Sequence, residues 1–204
     1  MNQEKEFLDG KKIALVKLKK AIKENQVDSG IKSILNIINK SEDYYTSSSC
    51  FGRIVLLEIP AIGDKKEAKS LGKWHRTIEV NELLSAAKNA KDGQLWLLSQ
   101  SPIIHITAKS DNAADKILKT ARACSFKNSG LKSLGKKIVV EVLSTERLDA
   151  PIGKNGELFC NNEHLDLLVN ISNEIIEKST LKLKKFENKI RKDLSTKKTT
   201  INSG

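Results

Sequence analysis

The chain has 204 residues, with 36 Lys and Arg against 25 Asp and Glu and a formal net charge of +11. That length suits one domain with appendages, and 39% hydrophobic residues with only 11 Gly and 3 Pro exclude a fibrous or wholly disordered chain. No apolar run approaches the ~18 residues of a membrane span, and Met1 to Glu6 lacks the basic-then-apolar opening of a secretory signal, so a cytoplasmic protein with no membrane partner is expected.

From Phe7 to about Asn39 apolar residues recur at mostly helical spacings, which predicts two helices broken near Val27-Asp28-Ser29-Gly30. The polar run Ser41 to Cys50 leads into Arg53 to Ile59, dense enough in β-branched and apolar residues to read as a buried strand. Residues 60–72 read as a charged loop, Trp74 to Val80 as a strand, and Asn81 as the cap of a helix ended by Asp92-Gly93. Two strands are expected on either side of Ser101-Pro102, then a helix capped by Asp111. Ile138 to Leu143 is a second strongly apolar strand, and short strands follow near Leu148 to Ile152 and Glu157 to Cys160. From Asn162 onward, apolar residues at helical spacing sustain a helix of about 30 residues.

This order predicts an α+β fold: a single mixed or barrel-like antiparallel sheet with flanking helices and a long C-terminal helix, in an order that hints at two similar halves. One domain is expected, with helices over 1–40, a sheet-containing core over 41–161, the long basic helix over 162–195 and a disordered tail at 196–204. No Gly-rich turn of the G-x-G-x-x-G or G-x-x-x-x-G-K kind follows any strand, so a doubly wound Rossmann fold is excluded.

The excess charge lies at the ends. Residues 1–40 hold 9 basic and 5 acidic residues, residues 178–198 hold 9 and 2, and the 137 residues between are balanced at 18 each. Like charge concentrated on helices attracts a polyanion, which makes nucleic acid the leading partner; solubilising Lys-rich helices are the plainer alternative. Cys50, Cys124 and Cys160 are odd in number and far apart, and His75, His105 and His164 add no close ligand spacing, so no metal is expected.

Four clusters can carry chemistry. Residues 43–53 pack hydroxyls, Cys50, Gly52 and Arg53 at the entry to a buried strand, where they suit an anion or polar cofactor, or form an ordinary polar loop. Lys73, Trp74 and His75 place a cation, a stacking surface and a titratable group side by side, unless Trp74 is core. His105 shares a strand face with Ile103 and Thr107, as a structural residue or as an acid, base or base-edge reader. Phe126 to Gly130 offers amide and hydroxyl groups on a turn.

Taken in order, these clusters resemble the wybutosine-synthesizing tRNA methyltransferase family, the third-step enzymes in their archaeal form. The resemblance rests on Tyr44 to Ile54 against a Ser-x-Ser-Ser-Cys-x-Gly-Arg pattern, with Thr46 in place of the first Ser. It continues through Leu95-Trp96 to Pro102, His105, Phe126 to Gly130, Ser144 to Pro151 and Asn173-Glu174, and covers roughly residues 3–190. Lys73-Trp74-His75 departs from relatives in which the His stands further from the Trp. The resemblance implies methyl transfer from S-adenosylmethionine to a ring nitrogen of the wyosine-type tricyclic base beside the anticodon of phenylalanine tRNA, on a barrel-like α+β fold. It further implies that Ser48, Ser49, Cys50, Gly52 and Arg53, with Asn128, Ser129 and Gly130, hold the cofactor. Tyr45, Lys73 and Trp74 would meet the base, and His105 and His75 would orient or deprotonate it. Two other functions fit the charge pattern, a non-catalytic RNA-binding protein and a structural protein dimerising through the long helix.

Overall fold

The computed structural model describes residues 3–64 and 66–195, so the tail expected to be disordered at 196–204 lies outside the described residues. The elements follow in the order α1 (Gln3–Lys23), α2 (Ser29–Lys40), β1 (Tyr44–Cys50), β2 (Arg53–Ile59), β3 (Lys69–Trp74) and α3 (Val80–Ala87). Then come β4 (Gln94–Gln100), β5 (Ile103–Ala108), α4 (Asp111–Ala123), β6 (Gly130–Ser133), β7 (Ile138–Leu143), β8 (Arg147–Lys154), β9 (Glu157–Leu158) and α5 (Asn162–Ser195). No helix among the described residues is long and apolar enough to cross a membrane.

The fold is α+β, as the element order implies. Its strands form two antiparallel sheets, of orders β1-β5-β7-β6 and β3-β2-β4-β8-β9, which corrects the expectation of a single sheet. The division has a local cause at two chain crossings. Between β1 and β2 the chain turns at Gly52, whose φ of 101° is open to glycine but strained for other residues. Between β4 and β5 it passes through Pro102, which has no N–H to continue a ladder.

The chain accordingly divides into two units. The first, Met1–Phe51, Pro102–Thr145 and Thr180–Gly204, holds the four-stranded sheet. One face of that sheet is buried. Ile104, Ile106, Val140 and Val142 pack there with Ile31, Ile34, Leu35 and Ile38 of α2, Ile117 of α4 and Phe186 of α5. The α2 residues recur at i, i+3, i+4 and i+7, a single helical stripe, and each is at most 1% exposed. On the other face of the sheet α1 lies over β1, with the rings of Phe7 and Tyr45 tilted against each other at 5.2 Å.

The second unit, Gly52–Ser101 and Glu146–Ser179, has its own core, in which Ile54, Leu56, Leu95 and Leu97 meet Leu83 of α3 and Leu165 and Val169 of α5. Its β3 ends at Trp74, whereas the sequence predicts a strand from Trp74 to Val80. As the outer member of its sheet, β3 has no apolar alternation, and its half-exposed Lys-Ser-Leu-Gly-Lys-Trp gives no period-two signal. The helix caps also sit one or two residues earlier than expected. Ser110 caps α4 through its hydroxyl, which accepts from Ala113 N at 3.2 Å, and Glu79 caps α3 in a reciprocal box with Glu82.

Candidate active site

The first unit brings two of the sequence-predicted residues into direct contact. Ser48 and His105 are opposite each other in the β1–β5 ladder, and the Ser48 hydroxyl lies 2.7 Å from His105 Nδ1. His105 is in turn opposite Glu141 of β7, with Nε2 2.6 Å from a Glu141 carboxylate oxygen. A hydroxyl, an imidazole and a carboxylate thus run across three adjacent strands. The row is accessible: Ser48 is exposed, and the His105 and Glu141 side chains are 24% and 19% exposed.

A β-bulge makes this alignment. Thr46 pairs with Ile106 and Ser48 with His105, so Ser47 is the extra residue. Strict alternation would put Ser48 on the face opposite Tyr45; the inserted residue brings it onto the same face.

The charge states follow from the contacts. The hydrogen bond from His105 holds the Glu141 carboxyl below the ordinary carboxylate range; partial burial opposes this, and the Lys132 ammonium 3.2 Å away reinforces it. A carboxylate so held can only accept, so Nε2 of His105 donates to it, and in the neutral ring Nδ1 is then the nitrogen that accepts from the Ser48 hydroxyl. Glu141 is absent from the sequence-predicted site; its signal is the single carboxylate in the apolar run Ile138 to Leu143.

One strand step along the same face, Tyr45 and Thr107 floor a cleft of about 440 Å³ between α1 and the sheet, a size typical of small-ligand sites. Ser47, Ser48 and Ser49 line one side, Ile13, Ala14 and Leu18 the other, and Lys17 and Lys137 also line it. Nothing in the sequence marks α1 as a wall.

The remaining predicted residues are placed as follows. Tyr45 is 2% exposed, its ring packed with Phe7 beneath α1 at the floor of the cleft. The buried Ser129 hydroxyl donates to Phe126 O at 2.7 Å and accepts from Leu143 N at 3.1 Å, holding the turn. Asn128 beside it is exposed, Gly130 stands opposite Glu141 in the β6–β7 ladder, and Cys50 is half-buried at the end of β1.

Gly52, Arg53, Lys73, Trp74 and His75 belong to the second unit. There Arg53 Nε donates to Gln100 Oε1 at 2.8 Å, and His75 Nδ1 donates to Gly52 O at 3.0 Å. Lys73 is exposed, whereas the half-buried Trp74 ring lies across Gly72, where any Cβ would collide with it, and packs on that unit's core.

The family model described as Methyltransferase TYW3 matches residues 9–192. A protein of Pyrococcus horikoshii named tRNA(Phe) 7-((3-amino-3-carboxypropyl)-4-demethylwyosine(37)-N(4))-methyltransferase 1 is 45% identical over 185 residues, 90% of this chain and 94% of that protein. A Methanocaldococcus jannaschii protein bearing the same name without the final numeral is 40% identical over 186 residues, 90% of this chain and 96% of its own length. Among solved structures, the PH1069 protein from Pyrococcus horikoshii matches with a TM-score of 0.89 and 44% identity, covering 93% of this chain and 98% of that one. A hypothetical protein from Aeropyrum pernix matches with a TM-score of 0.71 and 28% identity, over 81% and 98% of the two chains.

Proposed function

The chain belongs to the Methyltransferase TYW3 family, and from that membership we propose that it methylates N4 of the demethylwyosine-type base at position 37 of tRNA(Phe), with S-adenosylmethionine as donor. The names of its relatives supply the substrate class. The observation that carries the chemistry is the row Ser48, His105, Glu141 on an accessible sheet face beside a ligand-sized cleft.

Methyl transfer is an in-line displacement, so holding the ring nitrogen against the methyl lowers most of the barrier. A protonated ring nitrogen must also lose its proton, and both nitrogens of His105 are already engaged. The proton therefore passes to Ser48 Oγ while the Ser48 hydroxyl proton moves to His105 Nδ1, and Glu141 stabilises the imidazolium that results. The methyl would leave its sulfonium as the ring nitrogen takes it, with a neutral thioether as the leaving group. Bound in the cleft, S-adenosylmethionine would supply the electrophilic methyl. The cleft's residues fit such a donor, with the apolar flank of α1 for a purine and the hydroxyls of Ser47 to Ser49 for a ribose. The first unit carries 25 basic against 12 acidic residues in sequence, a net +13 that suits a tRNA backbone.

The test is methyl incorporation from S-adenosylmethionine into tRNA(Phe) isolated from cells lacking this protein. Wild-type protein should label it, and His105→Ala should turn over at least roughly tenfold more slowly with its fold intact. Near-normal turnover by the variant would return His105 to a structural role.

A further inference from the structure

We infer that the cleft between α1 and β1 is a subsite for an α-amino-carboxylate end group, held by Lys17 and Lys137. No Asp or Glu lines this cleft, although the first unit contains twelve. Neither lysine forms an ion pair with a carboxylate among the described residues, and although Glu6 and Asp9 line an adjoining cavity with Lys137, inside this cleft the two ammonium groups face an apolar wall of low dielectric, the condition that focuses a field on an anion. A carboxylate there meets two ammonium groups and the Ser47 hydroxyl at the bulge. An adjoining ammonium meets the amide oxygen of Gln26, which lines the same cleft. The floor residue Thr107 is two positions from His105 on β5, about 7 Å by strand rise. That span suits a short aliphatic arm whose other end is at the reacting centre.

Two molecules in the proposed reaction carry this group, and the inference rests on that reaction. The donor has it in its methionine portion, and the base has it in the 3-amino-3-carboxypropyl side chain named for the relatives' substrate.

The test uses the full chain with Lys17→Ala and Lys137→Ala combined, both exposed positions whose truncation leaves the core untouched; thermal melting verifies this. One arm titrates S-adenosylmethionine and 5′-methylthioadenosine, which shares the nucleoside but lacks the end group. The other arm measures KM for tRNA bearing the side chain and for tRNA bearing 4-demethylwyosine without it. Removal of the two ammonium donors should weaken the end-group-bearing ligand of one arm by roughly tenfold or more and leave its end-group-free counterpart unchanged. The affected arm identifies the donor or the base as the source, and Lys→Arg at both positions should restore most of the binding. Equal weakening of both ligands within an arm, or no change in either arm, overturns the subsite. If the wild type methylates neither tRNA, the proposed reaction fails on its own, while the donor arm still reads the subsite.

Discussion

Glu141 is a charge set in the middle of an apolar strand, and its neighbours explain why it is tolerated there. His105 and Lys132 both pair with it, and together they keep it ionised. Glu141→Gln keeps the shape and a hydrogen-bond acceptor but removes the charge that stabilises an imidazolium. Turnover should fall by roughly ten- to a hundredfold with KM little changed. Stability should respond to pH in a defined sense. The folded carboxyl ionises more readily than an unfolded one of pKa about 4.3, so its stabilisation is present above that value and lost as pH falls through the lower folded value. Urea unfolding should therefore find wild type more stable than Glu141→Gln at pH 7, with the gap closing in acid. A gap that persists or widens in acid would contradict the ion pair.

At the scale of elements, α1 approaches the sheet because Gly10 has no side chain. A Cβ there would stand 2.6 Å from the Tyr45 hydroxyl oxygen, and Tyr45 cannot swing away because its ring is buried against Phe7. Gly10→Ala gains helix propensity of up to about 1 kcal/mol, yet should lower the melting temperature and distort the cleft beneath α1. Tyr45→Phe in the same chain should recover most of the stability by removing the clashing oxygen. Recovery of neither fold nor cleft in the double variant would place the cost elsewhere. The same elements define how far sequence reading reaches. Stripes such as Ile31, Ile34, Leu35 and Ile38, and the apolar runs of β2 and β7, are legible because one-sided burial imposes a period. The polar strand β1 reads only as a run, since its outer face carries hydroxyls where a buried face would carry apolar groups. His105 and the serines can be named as candidates from composition. Their registration cannot, because it depends on an extra residue at Ser47 that alternation does not reveal, and on a β7 partner 36 residues away.

Over the whole molecule, charge is partitioned with the fold. The second unit holds 11 basic and 13 acidic residues, a net −2, while the first holds the +13 and the candidate site. Sequence position alone conceals this. The balanced stretch 41–177 includes the basic segments 109–137 of the first unit, offset by acidic residues of the second. A polyanion should therefore bind through the first unit, whose α1 and the later part of α5 carry exposed lysines. Replacing Lys184 and Lys185 with Gln removes two exposed charges far in sequence from the Ser48–His105–Glu141 row. Affinity for tRNA should drop, while kcat at saturating tRNA should stay at the wild-type value. A plot of log affinity against log salt concentration should become shallower by about one unit for each phosphate that is no longer neutralised. The equivalent change in the second unit, Lys88 and Lys91 to Gln, should leave both slope and affinity unchanged. Equal weakening by the two pairs would mean that net charge alone governs binding, and would remove the first unit's claim to the RNA.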